Sequence, residues 1–339
     1  MEKESYNNPF EKNVPSVFAV SSPLQILCAI AAIRQLEIVD YLMVVRFPLR
    51  NSRNLQVKNL LNHFEIPYKS VYSLNSYTSK IYFYKSLLHK QNRYKRLFIG
   101  DFRDIFNCFI GCNFVSDKSQ VVYLDDGNIT IAQLCGRYKE FPGLSLLRNI
   151  EKRRKLVFNK NLLTIYGDIP NNYYNVFSLQ LDKLLSSKTC PESQKDIYII
   201  GTNVESYCVA LDISESSFIS YLDRLMADLR KHYPKDNIVY IPHGKETKLY
   251  AQQLCKKYSC EFRHPSIMVE MELLSCSNPP KAIYGFTSTA LHTLKKIFPL
   301  AKVFNILFVC GKDNPANKDY LDISSYYQQN SIELIRVCL

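Results

Sequence analysis

The chain has 339 residues, long for a single core and suited to two domains. Hydrophobic residues make up 47% and aromatics 13%, which are globular values and exclude general disorder. With 43 Lys and Arg against 31 Asp and Glu, the net charge is +12, which suits a polyanion, an anionic membrane surface or an acidic substrate.

The first residues, Met1 to Ser5, are polar and are followed by Pro9 and Pro15, which is not the pattern of a signal peptide. The most apolar stretch, Val17 to Ile33, is interrupted by Ser21, Ser22, Pro23 and Gln25 and cannot be a spanning helix. The chain therefore reads as soluble or peripherally attached. Short β-rich runs then alternate with amphipathic stretches, the pattern of βα units and parallel sheets. In chain order the predicted strands are Ser16–Val20, Tyr41–Arg46, Arg96–Ile99 and Val121–Leu124, then Asp196–Ile200, Asn237–Ile241, Lys281–Tyr284 and Val303–Leu307. Helices are predicted over Leu24–Leu36, Ser217–Lys231, Lys248–Tyr258 and Ala290–Ile297. The polar segment from Ser186 to Ser193 separates the two series and gives a boundary between residues 1–190 and 191–339.

The 11 cysteines form no C-x-x-C pair. Cys108 and Cys112 are spaced i, i+4, but no His or second Cys pair completes a zinc site. Scattered, apolar-flanked cysteines read as reduced thiols used as small hydrophobes, as in a cytosolic protein. No metal site is expected.

Four constellations carry chemistry. Strand Val121–Leu124 runs into Asp125-Asp126-Gly127-Asn128, which delivers two carboxylates to the carboxyl edge of a sheet, where open α/β folds place ligands. Two adjacent acids do not both ionise freely, which favours a raised pKa suited to a general base, although Asp-Asp-Gly-Asn is also an ordinary turn. Strand Asn237–Ile241 ends in Pro242-His243-Gly244-Lys245-Glu246. His243 there would protonate or hydrogen-bond a leaving phosphate, or else be a turn histidine satisfied by local backbone. Gly285-Phe286-Thr287-Ser288-Thr289 opens a helix, whose free N–H groups and hydroxyls make a phosphate cradle or a plain N-cap. It lacks the Walker lysine pattern of a P-loop ATPase. Glu270 and Glu272 are acids suited to a ribose hydroxyl or to a solvated helix face. Arg263-His264-Pro265 offers a competing His after a weaker strand.

Together these residues resemble the motifs of bacterial sialyltransferases, most nearly the polysialyltransferase-type and glycosyltransferase family 52 group. The resemblance rests on Asp125-Asp126-Gly127, on Pro242-His243 and on Thr287-Ser288. The opening Val20-Ser21-Ser22-Pro23-Leu24-Gln25 and the run from Ile199 to Glu205 also look like that group, and the likeness extends from about Ser16 to about Phe308. His243 precedes Thr287 by 44 residues, a separation similar to the family's, which favours it over His264. The resemblance implies an α/β, GT-B-like fold with two Rossmann-type domains facing across a cleft. It implies inverting, metal-independent transfer of sialic acid from CMP-sialic acid to a sugar hydroxyl, with no cofactor. Asp125 or Asp126 would take the acceptor proton, and His243 would act on the departing CMP phosphate. Thr287 and Ser288 would bind that phosphate and Glu270 or Glu272 the ribose, with Gly201 and Pro242 near the nucleotide. The family usually has Pro after the motif His, where this chain has Gly244.

Basic clusters run from His89 to Arg96 and from Lys152 to Lys155. Charge runs are most often solvated faces; as functional surfaces these would hold an anionic oligo- or polysaccharide acceptor, or the inner leaflet where capsule or lipooligosaccharide is built. The expected location is cytoplasmic, with peripheral contact to the inner membrane. Another donor, such as CMP-Kdo or a nucleotide diphosphate sugar, is the alternative within the same fold. Nucleic-acid binding through the basic clusters is the alternative of another class, and no RNA- or DNA-binding motif supports it.

Overall fold

The computed structural model describes residues 8–47, 53–72, 94–101, 120–135, 161–169, 174–181, 196–244, 246, 249–276, 279–309 and 315–338. The chain divides into two compact units, Met1–Leu184 and Leu185–Leu339. The predicted boundary segment, Ser186 to Ser193, lies outside the described residues, as do Cys108, Cys112, Cys310 and the basic run at 152–155.

The first unit holds β1 (Ser16–Val20), β2 (Tyr41–Phe47), β3 (Lys69–Tyr72), β4 (Arg96–Ile99), β5 (Val121–Leu124), β6 (Asn161–Thr164) and β7 (Asn175–Ser178), in the sheet order β3-β2-β1-β4-β5-β6-β7. Every pairing is parallel. Strands β1, β4, β5 and β6 are buried at every position, as parallel strands at the centre of an α/β sheet require. Helices α1 (Pro23–Gln35), α2 (Arg53–His63) and α3 (Asn128–Leu134) follow β1, β2 and β5. Pro23 sits in the first turn of α1, where its missing N–H costs nothing, and Ser22 caps the helix by accepting from the Gln25 N–H.

The second unit repeats the plan. Strands β8 (Asp196–Ile200), β9 (Asn237–Ile241), β10 (Glu261–Phe262), β11 (Pro280–Gly285), β12 (Lys302–Val309) and β13 (Glu333–Cys338) pair in the order β10-β9-β8-β11-β12-β13, again all parallel. The helices are α4 (Val204–Leu211), α5 (Glu215–His232), α6 (Tyr250–Lys257), α7 (Val269–Ser275), α8 (Thr289–Ile297) and α9 (Pro315–Gln329). Helix α5 shows why such segments fold. Ser214 caps it, Glu215 and the basic run Arg230-Lys231-His232 match its dipole, and Phe218, Leu222, Leu225, Met226 and Leu229 form one buried stripe. That stripe packs into a core with Tyr207, Phe286 and Phe308, whose rings meet at centroid separations of 4.7 to 6.4 Å.

In both sheets the strand order reverses beside the first strand, between β1 and β4 and between β8 and β11. This is the doubly wound topology whose switch points open at the carboxyl ends of the strands. Among the described residues, no helix is long and apolar enough to cross a membrane.

Arg96, the last residue of the basic run that begins at His89, is not a surface residue: it lies in β4 with no exposed surface. Its guanidinium donates to the carbonyls of Pro9 and Glu11 at 2.8 Å and to the Ser16 hydroxyl at 3.2 Å. Burial lowers its pKa to about 10, against the pull of Glu11, so it stays charged at neutral pH. A buried cation holds its place only where acceptors replace water, and here backbone carbonyls supply them. Residues 89–93 of that cluster lie outside the described residues.

Candidate active site

In the first unit β5 stops at a turn made by Gly127, whose φ of 74° is left-handed and costs glycine little. The Thr130 N–H donates to the Gly127 carbonyl, and the Thr130 hydroxyl accepts from the Asp126 N–H, both at 3.0 Å. This turn splits the two aspartates. Asp125 points inward and is fully buried. Its Oδ1 accepts from the Thr164 hydroxyl, and its Oδ2 from the Ile165 N–H at 2.8 Å, with the Cys28 thiol 3.8 Å away. Burial lifts its carboxyl from 3.8 to about 6, against the opposing pull of Thr164, Ile165, Thr130 and Cys28.

Asp126 is only partly buried. Its Oδ1 accepts from the Gln25 side-chain amide at 2.7 Å, across 101 residues of sequence. Arg53, at the start of α2, is held below its ordinary pKa by burial, and the Asp126 carboxylate opposes that shift. Of the two acids, Asp125 ties β5 to β6 while Asp126 remains at the accessible edge.

The Asp125 carboxyl gives a pH-dependent stability with a definite sign. Its folded pKa is raised, so its contribution is fully present below about pH 4 and is lost as pH rises through about 6. The difference corresponds to about 3 kcal/mol. Urea unfolding between pH 4 and 7 is expected to show the wild type losing about that much stability relative to Asp125→Asn across this window. Parallel curves would refute the assignment.

In the second unit Gly201 follows β8, Pro242 and His243 follow β9, and Thr287 and Ser288 follow β11, all at the carboxyl edge of one sheet. Pro242 is buried and His243 partly exposed. The His243 N–H donates to Glu246 Oε2 at 3.1 Å, and the Glu246 N–H returns a 2.7 Å bond to the His243 carbonyl. The same carboxylate accepts from the Tyr240 hydroxyl at 2.9 and 3.1 Å and from the Tyr250 hydroxyl at 3.2 Å. Burial raises the Glu246 pKa, and these donors oppose the rise. Gly201 packs against this knot. A Cβ there would lie 2.6 Å from Glu246 Oε2, 2.7 Å from the Tyr240 hydroxyl and 3.1 Å from the His243 nitrogen. Its φ is not left-handed, so close approach is what demands glycine. Gly201→Ala is expected to cost about 1–3 kcal/mol through overpacking. The measurement is a thermal melt, and an unchanged Tm would show that the turn tolerates the methyl group.

Thr287 and Ser288 sit where β11 turns into α8. Thr287 has φ 46°, left-handed and strained for a β-branched residue. Its N–H donates to Asn305 Oδ1 at 2.8 Å, and Asn305 passes a 2.9 Å bond to the Ser324 hydroxyl of α9. Asn305 and Ser324 are each 1% exposed, so a buried polar chain supports the turn. Burial raises the Tyr207 pKa, and a hydrogen bond from the Thr287 side chain opposes that shift. Ser288 is the N-cap of α8, but its side chain makes no capping bond to the helix. Glu270, in the first turn of α7, is buried and accepts from the Thr293 hydroxyl of α8 at 2.6 Å. Burial raises its pKa. Glu272, two residues on, is partly exposed.

The structure thus gathers Gly201, Pro242 and His243 around Glu246 and Tyr240, and joins Glu270 to the helix that Thr287 and Ser288 begin. Sequence reading gave no role to Glu246, Gln25 or Asn305. Asn305 carried a signal, being a polar residue inside an otherwise apolar strand, which must find a partner when buried. Among the described residues no group of three His, Cys, Asp or Glu side chains is arranged to hold a metal ion.

The two doubly wound units give the chain a GT-B-like fold. It is similar over nearly its whole length to the α/β-galactoside α-2,3-sialyltransferase of the luminous marine bacterium Photobacterium phosphoreum. That match has a TM-score of 0.51 at 13% identity and covers 96% of this chain and 99% of the other. It is equally similar in fold to a Listeria monocytogenes protein assigned as a UDP-N-acetylglucosamine 2-epimerase, with a TM-score of 0.51 at 8% identity, covering 94% and 90%. No protein-family model matches the chain, and no curated protein sequence matches it.

Proposed function

We propose that the chain is a glycosyltransferase that moves sialic acid from CMP-sialic acid to a sugar hydroxyl of a bacterial surface glycan, capsule or lipooligosaccharide, without a metal and with inversion. The observation that carries this reading is the placement of all three sialyltransferase-like motifs at carboxyl edges of Rossmann-type sheets, in the family's chain order. The end-to-end likeness in fold to a bacterial sialyltransferase supports it.

In this reading Asp126 removes the acceptor hydroxyl proton, because it is the accessible acid of the pair, and Asp125 anchors the turn. His243 donates a proton or hydrogen bond to the departing CMP phosphate, and Thr287, Ser288 and the α8 N-terminus receive that phosphate's charge. A monophosphate leaving group carries less charge than a diphosphate, so protein donors alone can stabilise it. Glu270 or Glu272 takes the ribose, with Gly201 and Pro242 lining the nucleotide site. The acceptor is an oligo- or polysaccharide assembled at the inner membrane, where the protein works from the cytoplasmic side.

A second reading keeps the fold and changes the donor to a nucleotide diphosphate sugar or CMP-Kdo. The equal likeness to a UDP-N-acetylglucosamine epimerase favours keeping it. A thermal-shift series separates the two. CMP is expected to raise Tm while UDP and GDP do not, by an amount that grows with ligand concentration over Kd. Stabilisation by UDP alone would overturn the CMP reading. Transfer assays with CMP-sialic acid and CMP-Kdo against a glycan panel, with and without EDTA, then fix the sugar and test metal independence.

A further inference from the structure

We propose that Gln25 is the positioning residue for Asp126: its buried carboxamide fixes that carboxylate's rotamer and keeps it ionised through a single Nε2–H···Oδ1 hydrogen bond. The proposal rests on Asp126 being the proton acceptor of the transfer reaction. Gln25 stands in the first turn of α1 and is 1% exposed, so its polar atoms must all find protein partners.

The local sequence makes its orientation unusual. Ser22-Pro23-Leu24-Gln25 has the spacing of a capping box, in which the fourth residue's side chain reaches back to the N-cap N–H. The Ser22 half is present, its hydroxyl accepting from the Gln25 N–H at 3.4 Å. The Gln25 side chain is aimed elsewhere. Its Oε1 accepts from the Ser21 N–H at 2.8 Å and the Ser21 hydroxyl at 3.2 Å, and its Nε2 donates to Asp126 Oδ1 at 2.7 Å.

The two ends of the carboxamide cannot be exchanged. A backbone N–H only donates, so Ser21 requires the oxygen, and the amino group is left to face the carboxylate. The path it takes is cleared by Gly100 at the end of β4, where a Cβ would lie 2.5 Å from Gln25 Oε1 and 2.6 Å from its Cδ. Three strand ends therefore converge on one side chain: β1 through Ser21, β4 through Gly100 and β5 through Asp126.

The chemical consequence follows from what a base needs. An N–H donor favours the charged form of a carboxylate, and a fixed rotamer holds the reacting oxygens in register with the acceptor hydroxyl. Among the described residues, the charged and titratable groups beside Asp126 include Arg53 from α2 and Asp125, with the Cys28 thiol of α1 behind the latter. Arg53 acts on Asp126 through charge, whereas Gln25 supplies direction.

The test compares the wild type with Gln25→Met, a neutral side chain of similar length with no donor, in the pH profile of kcat/KM for transfer from CMP-sialic acid. Loss of a hydrogen bond to a charged group is expected to lower kcat/KM about ten- to a hundredfold at neutral pH, and to move the acid limb to higher pH. If Gln25→Met does not fold, Gln25→Glu keeps an oxygen for the Ser21 N–H while losing the donor, and its limb is expected to move in the same direction. A rate loss with an unmoved limb would show a merely structural role and overturn the proposal. Carboxyl-carbon NMR, with the Asp126 signal assigned through Asp126→Asn, gives a readout that needs no turnover. A higher Asp126 pKa in the variant supports the proposal even if the wild type transfers nothing from CMP-sialic acid, a result that would sink the donor assignment alone. An unchanged Asp126 titration overturns the role of Gln25.

Discussion

Asp126→Asn is expected to cut sialyl transfer by about 10²- to 10⁴-fold, the usual contribution of a general base, and to leave the melting temperature nearly unchanged. The second half of that expectation is as informative as the first. Asp126 is partly exposed, and its Oδ1 takes the Gln25 amide as a neutral Asn oxygen also can. Asp125→Asn should behave in the opposite manner. Its carboxylate accepts from Thr164 and Ile165 while fully buried, so an amide there keeps the Ile165 bond only by turning its NH2 onto the Thr164 hydroxyl, which must then accept instead of donate. The expected loss is of stability first, with activity falling as the folded fraction falls. If Asp126→Asn kept near-wild-type rates while folded Asp125→Asn lost them, the roles assigned to the pair would be reversed.

His243→Ala is expected to lower kcat about 10²- to 10³-fold with a smaller change in KM for the donor, because its task belongs to the departure of the phosphate. The Glu246 carboxylate holds the backbone of this residue, while its imidazole is partly exposed, so truncating the ring should leave the turn in place. Two readings of His243 separate on pH. As a proton donor it would make kcat fall on the alkaline side, and the Ala variant would lose that limb. A variant with normal kcat would show that the α8 N-terminus and its hydroxyls handle the leaving group alone.

The central strands of both sheets were legible because buried parallel strands read as short unbroken apolar runs, as in Val121–Leu124 and residues 197–200. Those not foreseen lack that mark. β7 is exposed or half-exposed along its length, β10 has two residues, and β6 begins and ends in the buried polar residues Asn161 and Thr164. Sequence alone also placed Asp125, Asp126, His243, Thr287 and Ser288 at strand ends, since strand and turn signals are local. What separated Asp125 from Asp126 was not local. The direction of each carboxyl is set by Gly127 and by donors 39 to 101 positions away, namely Thr164, Ile165 and Gln25. Glu246 was visible as a residue, but its grip on His243 depends on two tyrosines and on the missing side chain at Gly201.

The Arg96 clamp changes how the stretch before the first strand should be regarded. Proline-bearing and without regular structure, residues 9 to 15 look dispensable, yet two of their carbonyls accept from the charged side chain at the amino end of β4. Trimming the chain to its first strand would strand a cation at the floor of the sheet whose opposite rim carries Asp126. The stretch before β1 is therefore a counter-charge made of backbone dipoles, set against the cation buried at the amino end of β4.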